Sequence, residues 1–164
     1  DIRLAPVLAQ VQLDRGFKSI IVRSTDGLDE LSTSAPTQIW DVTSGNLRES
    51  LLAPSELGLK PATLEQLRGG DAQFNAQVVR EILAGRSDGN FAAIRDVVAL
   101  NAAATMVAYD AAKGAKRFGA VEDPTVARIS RALPVAYSSL DTGAAKSLLD
   151  VWVSISQRYA LAAN

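Results

Sequence analysis

Thr25-Asp26-Gly27-Leu28-Asp29-Glu30-Leu31-Ser32-Thr33 sets three carboxylates and three hydroxyls in one short segment, close behind the apolar run Ser19-Ile20-Ile21-Val22. A β-branched run this short, bounded by a Gly-containing polar turn, reads as a buried strand. In open α/β sheets ligands bind beyond the carboxyl ends of strands, so carboxylates leaving such an end sit where a site is expected. Asp29 and Glu30 are accordingly the candidates for chemistry. Adjacent hard oxygen donors suit magnesium, which takes one or two carboxylates, keeps several waters and completes its shell with substrate phosphates. The same spacing also occurs in solvated loops and at helix starts, and spacing by itself leaves both readings open.

Working outward, Leu4, Val7, Leu8, Val11 and Leu13 follow helical spacing after Pro6, which predicts a helix over Ala5 to Arg15 with Gly16 as its stop. A helix running straight into a strand is half of a βαβ unit, so the matching strand is expected upstream of Asp1. The chain also opens Asp1-Ile2-Arg3 without an initiator Met, and a piece of a longer protein is the expectation. Downstream, Thr37 to Val42 and Leu47 to Leu52 alternate apolar residues around Thr43-Ser44-Gly45-Asn46, the pattern of a β-hairpin or of two adjacent strands. Trp40 reads as a packing residue. Pro54 to Gly58 and Pro61 to Leu67 read as short helical turns.

Gly69-Gly70-Asp71 introduces a helix that Asp71 is placed to cap, with Phe74, Val78 and Ile82 on one face and Gly85 at the end. Paired glycines before a helix can cradle phosphate, but a carboxylate at the cap would repel an anion there. The longest helix is predicted over Ala92 to Lys113, with apolar residues on nearly every face around Arg95, Asp96 and Asn101. An enclosed Asn101 must be hydrogen-bonded, and a core polar tie is its expected role. Lys113, Lys116 and Arg117 complement the negative pole of that helix. Thr125 to Leu140 has a helical pattern with a break expected at Pro134. A last helix from Ala144 carries Leu148, Trp152, Ile155 and Tyr159 on one face. One α/β domain over residues 1–164, strands early and helices late, accounts for the pattern.

Composition narrows the chemistry. With 164 residues the chain can bury a core without disulfides or metal, and 48% hydrophobic with 21% charged residues is ordinary for a globular protein. A balance of 17 basic and 18 acidic residues gives no general electrostatic reason to bind nucleic acid or an anionic membrane. There is no cysteine and no histidine, which excludes a disulfide framework, a thiolate or imidazole metal site, a thiol nucleophile and a histidine base. No stretch approaches the roughly 18 apolar residues of a membrane helix without a charge, and a cytoplasmic protein is the expectation.

The segment Asp26-Gly27-Leu28-Asp29-Glu30 resembles the Asp-Gly-Leu-Asp-Glu signature of the anthranilate phosphoribosyltransferases, which are related in fold to pyrimidine nucleoside phosphorylases. Gly69-Gly70-Asp71-Ala72-Gln73-Phe74-Asn75-Ala76 is similar to that family's Gly-Gly-Asp-Ala-x-x-Asn-Ala stretch. Arg95-Asp96-Val97-Val98-Ala99-Leu100-Asn101-Ala102-Ala103 is similar to its Arg-Asp-x-Val-x-Leu-Asn-Ala-Ala helix, and Asp141-Thr142-Gly143 to the turn before its last helix.

The resemblance implies a fold with a small helical domain beside a larger α/β domain, the site lying in the cleft between them. It implies transfer of phosphoribosyl from phosphoribosyl pyrophosphate to anthranilate in tryptophan biosynthesis, with Asp29 and Glu30 as the Mg2+ pair. Anthranilate's amine is already a nucleophile at neutral pH, so the lack of histidine is no objection.

The match extends over essentially all of this chain but only the later part of the family enzyme. The family's Gly-Thr-Gly-Gly-Asp loop, its Lys-His-Gly-Asn motif and its Arg-containing anthranilate segment have no counterpart here and would precede Asp1. So would the helical domain through which the family forms homodimers. The expectation is therefore the C-terminal portion of a transferase, inactive by itself. Arg23-Ser24-Thr25 stands where many relatives carry His-Gly, and Pro134 falls in a helix that is usually continuous. A second reading is a noncatalytic binding or assembly module that retains the fold. Near-neutral charge argues against a nucleic-acid-binding relative, and Asp-Gly-Leu-Asp-Glu against a nucleoside phosphorylase.

Overall fold

The structure is a computed structural model that describes residues 1–162. Helix α1 (Leu4–Asp14) leads through Gly16 into β1 (Ile20–Ser24), and β2 (Thr37–Asp41) and β3 (Arg48–Leu52) form the expected hairpin. The order is β1-β2-β3, antiparallel throughout, with Val22 opposite Ile39 and Asp41 opposite both Ile20 and Arg48. The rule that places sites beyond strand carboxyl ends was framed on parallel sheets, and none of these pairs is parallel. The acidic turn does leave the carboxyl end of β1, but other forces hold it in place. β1 itself starts and ends later than Ser19–Val22 and is only part-buried, with Ser24 its one buried residue.

The two-residue period of the strands divides the sheet into two packed faces. Ile20, Val22, Ile39 and Leu52 face the main core, whose centre is Leu31, Leu100, Val107 and Ile129. Ile21 and Trp40 face α1 and meet Ala5 and Ala9. Of the larger apolar residues of α1 only Leu13 packs beside the alanines, whereas Leu4, Val7 and Leu8 are all more than half exposed. Alanines on the inner side bring the helix axis close to Trp40, which fills the space their small side chains leave.

A 3-10 turn (Pro54–Leu57) follows the hairpin, and α2 (Ala72–Leu83) begins at Asp71, whose carboxylate accepts from the Phe74 amide at 2.8 Å. This is the expected cap. Gly70 lets the Phe74 ring lie close, since a Cβ there would be 2.8 Å from it and would force that ring to shift. Helix α3 (Asn90–Ala112) has the length and apolarity of a membrane span, although Arg95, Asp96 and Asp110 fall within it. Ala99, Leu100, Ala103, Val107 and Ala111 are the buried side that it turns to the core.

Helix α4 (Thr125–Asp141) packs along α3 and passes through Pro134 without the expected break. Pro134 is exposed while Ile129, Ala132, Leu133, Ala136 and Leu140 are buried. The backbone donor that proline lacks is thus lost on the wet side, and packing of the opposite side keeps the helix continuous. Helix α5 (Ala144–Ala162) carries Leu148, Trp152, Ile155 and Tyr159 as expected, but all four are exposed, Tyr159 at 75%.

Candidate functional site

Residues 25–36 fold into a loop held at both ends and pinned in the middle. At its mouth the Thr25 amide and hydroxyl both donate to the Pro36 carbonyl, at 2.9 and 3.0 Å, and the Ser24 amide donates to Leu28 at 2.9 Å. Gly27 turns the chain at a φ of 104°, a conformation that favours glycine. Arg23 donates to the Gly27 carbonyl. Arg23-Ser24-Thr25, the departure from the His-Gly pair, therefore closes the turn through its own side chains and backbone.

Asp26 organises the interior of the loop. Its carboxylate accepts from the Leu28 amide at 3.1 Å, an Asx-turn, from the Ser32 hydroxyl at 2.7 Å and from the Ser34 hydroxyl. Burial pushes its pKa up, but the donations from Ser34, Ser32 and the Leu28 amide outweigh that and bring it from 3.8 down to about 2. On the far side Leu31 is fully buried in the main core, and its backbone is held by a side chain distant in sequence. Asn101, on α3, accepts from the Leu31 amide at 3.0 Å and donates to the Leu31 carbonyl at 2.8 Å. It also donates to Val97 of its own helix at 2.9 Å. The expected polar tie is there, and its partner is the acidic loop.

Between these fixed points lie Asp29 and Glu30. Both are exposed, and neither carboxylate has a hydrogen-bond or ion-pair partner among the described residues. Among those residues no cluster of three or more Asp, Glu, His or Cys side chains exists to cage a metal. Two uncommitted carboxylates on a fixed loop, opening to solvent, fit a cation that retains waters and takes its other oxygens from a phosphate. They do not fit a metal enclosed by protein. Asp26, although part of the same segment, is already saturated by hydroxyl and amide donors.

A second polar cluster is structural. Asp41, fully buried, accepts from Thr43 Oγ1 at 2.6 Å, the Thr43 amide at 2.8 Å and Arg48 at 3.0 Å, and also from Thr125 and from Arg128, itself 2% exposed. Burial pushes its carboxyl up, while the Thr125 and Thr43 donors and the Arg128 charge take it below the ordinary value. This cluster ties the hairpin to the start of α4. On the other end of α4, the Tyr137 hydroxyl donates to Asp96 at 2.6 Å, and burial together with that carboxylate raises its pKa.

The sequence model described as "Glycosyl transferase family, a/b domain" matches residues 1–146. The chain belongs to that glycosyl transferase family. Relatives are similar over nearly all of the chain: an anthranilate phosphoribosyltransferase of Arthrobacter sp. is 40% identical over 155 residues, 94% of this chain and 41% of the relative. One from Nocardioides sp. is 42% identical, covering 96% of this chain and 42% of the relative. Among solved structures, the Thermus thermophilus enzyme of that name superposes with a TM-score of 0.72 at 28% identity, over 94% of this chain and 40% of its own. The Saccharomyces cerevisiae enzyme in complex with PRPP and Mg gives 0.68 at 26% identity, over 90% and 38%.

The chain thus spans about two fifths of the length of the curated relatives it matches. An early sheet and later helices are the arrangement expected of this family's α/β domain, and the motif residues lie within the matched range.

Proposed function

We propose that this chain is the C-terminal α/β part of an anthranilate phosphoribosyltransferase, and that Asp29 and Glu30 are its magnesium ligands. The observation that carries the site assignment is the pair's setting. Two carboxylates without protein partners are held between Asp26 on one side and a buried, hydrogen-bonded Leu31 on the other. The substrates of the whole enzyme on this reading are phosphoribosyl pyrophosphate and anthranilate. A place in tryptophan biosynthesis, a cytoplasmic setting and a homodimer formed through a helical domain belong to the same reading.

Asp29 and Glu30 would hold the ion, which when bound supplies positive charge against the departing pyrophosphate. Their part is to present two oxygens from a rigid loop, so that little ordering remains to be done when substrate arrives. The Asp26 network keeps its own charge engaged with Ser32, Ser34 and Leu28, leaving the outer two carboxylates to the ligand. Aromatic amines are neutral at physiological pH, so no side chain of this chain is assigned as a general base.

Manganese binding, followed by electron paramagnetic resonance with and without phosphoribosyl pyrophosphate, tests the assignment. Binding that is lost in Asp29→Asn and Glu30→Gln supports it, and binding unchanged in both overturns it. Because the chain spans two fifths of its relatives, it holds part of a substrate site, and the expected turnover by the chain alone is nil. Loss of anthranilate fluorescence in the presence of the purified chain and phosphoribosyl pyrophosphate would refute that second statement.

The exposed apolar residues of α1 and α5 favour one other reading, a binding or assembly module that keeps the fold without the chemistry. It predicts intact folding and no specific manganese site, so the same titration separates the two.

A further inference from the structure

We infer that Asn101 is a positioning residue for the Asp29–Glu30 pair, acting through the backbone of Leu31; the inference rests on the metal assignment proposed above. Asn101 lies 70 residues along the chain from Leu31. Its side-chain amide meets both backbone polar groups of Leu31, accepting from the amide at 3.0 Å and donating to the carbonyl at 2.8 Å. This two-point pairing fixes both the position and the direction of the peptide units on either side of Leu31, and the first of those units is bonded to Glu30.

The amide orientation of Asn101 is itself determined. Its nitrogen also donates to the Val97 carbonyl at 2.9 Å, one turn back along α3, which orients the oxygen toward the Leu31 amide. Leu100 and Ala103, its neighbours on the helix, are fully buried, so the helix surface that carries Asn101 is fixed by the core. The side chain of Leu31 is fully buried in that same core. Leu31 therefore cannot move without breaking either packing or the amide pair. Asp26 fixes the other end of the segment through Leu28, which leaves only Asp29 and Glu30 spanning the gap. Outer-shell partners that orient metal ligands characteristically change affinity by about 10–100-fold when removed.

The test uses the 164-residue chain and Mn2+ alone as probe. Asn101→Leu replaces the amide by an apolar group of similar size. The expected result is a folded protein whose Leu31 amide exchanges faster and whose Mn2+ affinity falls about 10-fold or more. Val42→Ala destabilises the separate cluster between the sheet and α1, which does not include Leu31, and is expected to bind Mn2+ as the wild type does. Thr105→Val, on the same helix but bonded only to the Asn101 carbonyl, is expected to do the same. If Asn101→Leu does not fold, Asn101→Ser, whose side chain is too short to meet both Leu31 groups, takes its place with the same expected loss.

A folded Asn101 variant that binds Mn2+ within twofold of wild type, while Asp29→Asn and Glu30→Gln abolish binding, overturns the positioning role and leaves the metal assignment standing. An equal loss in Val42→Ala overturns it as well, since the effect would then follow stability and not position. If Asp29→Asn and Glu30→Gln bind as wild type, the metal assignment fails and the positioning role falls with it.

Discussion

Asp26→Asn isolates the charge that organises the acidic loop, because asparagine keeps the shape and one acceptor oxygen while removing the carboxylate. The carboxylate is lowered from 3.8 to about 2 in the folded protein, against the upward push of burial, by the hydroxyls of Ser34 and Ser32 and the Leu28 amide. At ~1.36 kcal/mol per pH unit, that difference corresponds to a ceiling of about 2.4 kcal/mol. Asp26 is part-open to water, and solvent screening reduces the contribution to about 1 kcal/mol. The sign follows from the direction: with the folded value depressed, the stabilisation is fully present above pH 3.8 and is lost as pH falls through about 2. Urea unfolding of wild type and Asp26→Asn, followed by circular dichroism, is expected to show the variant less stable by about 1 kcal/mol at pH 7, with the gap closing toward pH 2. A gap of the same size at pH 7 and pH 2.5 would refute the reasoning, because the loss would then come from shape and not from charge.

Asp41→Ala leaves Arg128 buried without its carboxylate, and a loss of about 3–5 kcal/mol is expected, seen as a thermal midpoint lower by about 10 °C. Pro134→Ala restores a backbone donor in the exposed side of α4, and the urea midpoint is expected to rise, for a gain of about 1–3 kcal/mol. Trp152→Ala, at a side chain 68% exposed, is expected to change unfolding of this chain by no more than about 0.5 kcal/mol.

Local patterns were legible in sequence wherever one physical signal was unopposed. The hairpin followed from alternation around a Gly-Asn turn, the Asp71 cap from a carboxylate ahead of a helical run, and the packing role of Trp40 from its size in a strand. Pro134 shows where a local rule yields. The proline penalty is real, yet Ile129, Ala132, Leu133 and Ala136, buried in the main core, outweigh one lost backbone bond on the solvent side. The outward face of α1 shows a different limit. Periodicity located an apolar stripe, but of that stripe only Leu13 packs on the sheet, and Ala5 and Ala9 are the residues buried there. At the candidate site, Asp29 and Glu30 were visible as adjacent carboxylates. Asn101 as their support was not, since no spacing rule connects residues 70 apart. Ser34, too, was missed, although a serine two residues beyond Ser32 and eight beyond Asp26 is a donor within reach of a tight turn.

The position of Leu31 explains why the acidic loop is well defined in a chain that covers two fifths of its relatives. Leu31 belongs to the loop by sequence and to the main core by packing, among Leu100, Ile129 and Ile39. Those three residues come from β2, α3 and α4, so the core that receives Leu31 is built from elements this chain itself contains. The apolar faces of α1 and α5 have no such internal cover. Order at the site and exposure at the flanking helices are therefore separable: changes on α5 should leave the Asp29–Glu30 geometry intact, whereas changes at the α3–α4 interface should reach it through Leu31. On the function proposed above, a ligand would meet a carboxylate pair already held in place by the chain's own core, which is the preorganisation that electrostatic stabilisation requires.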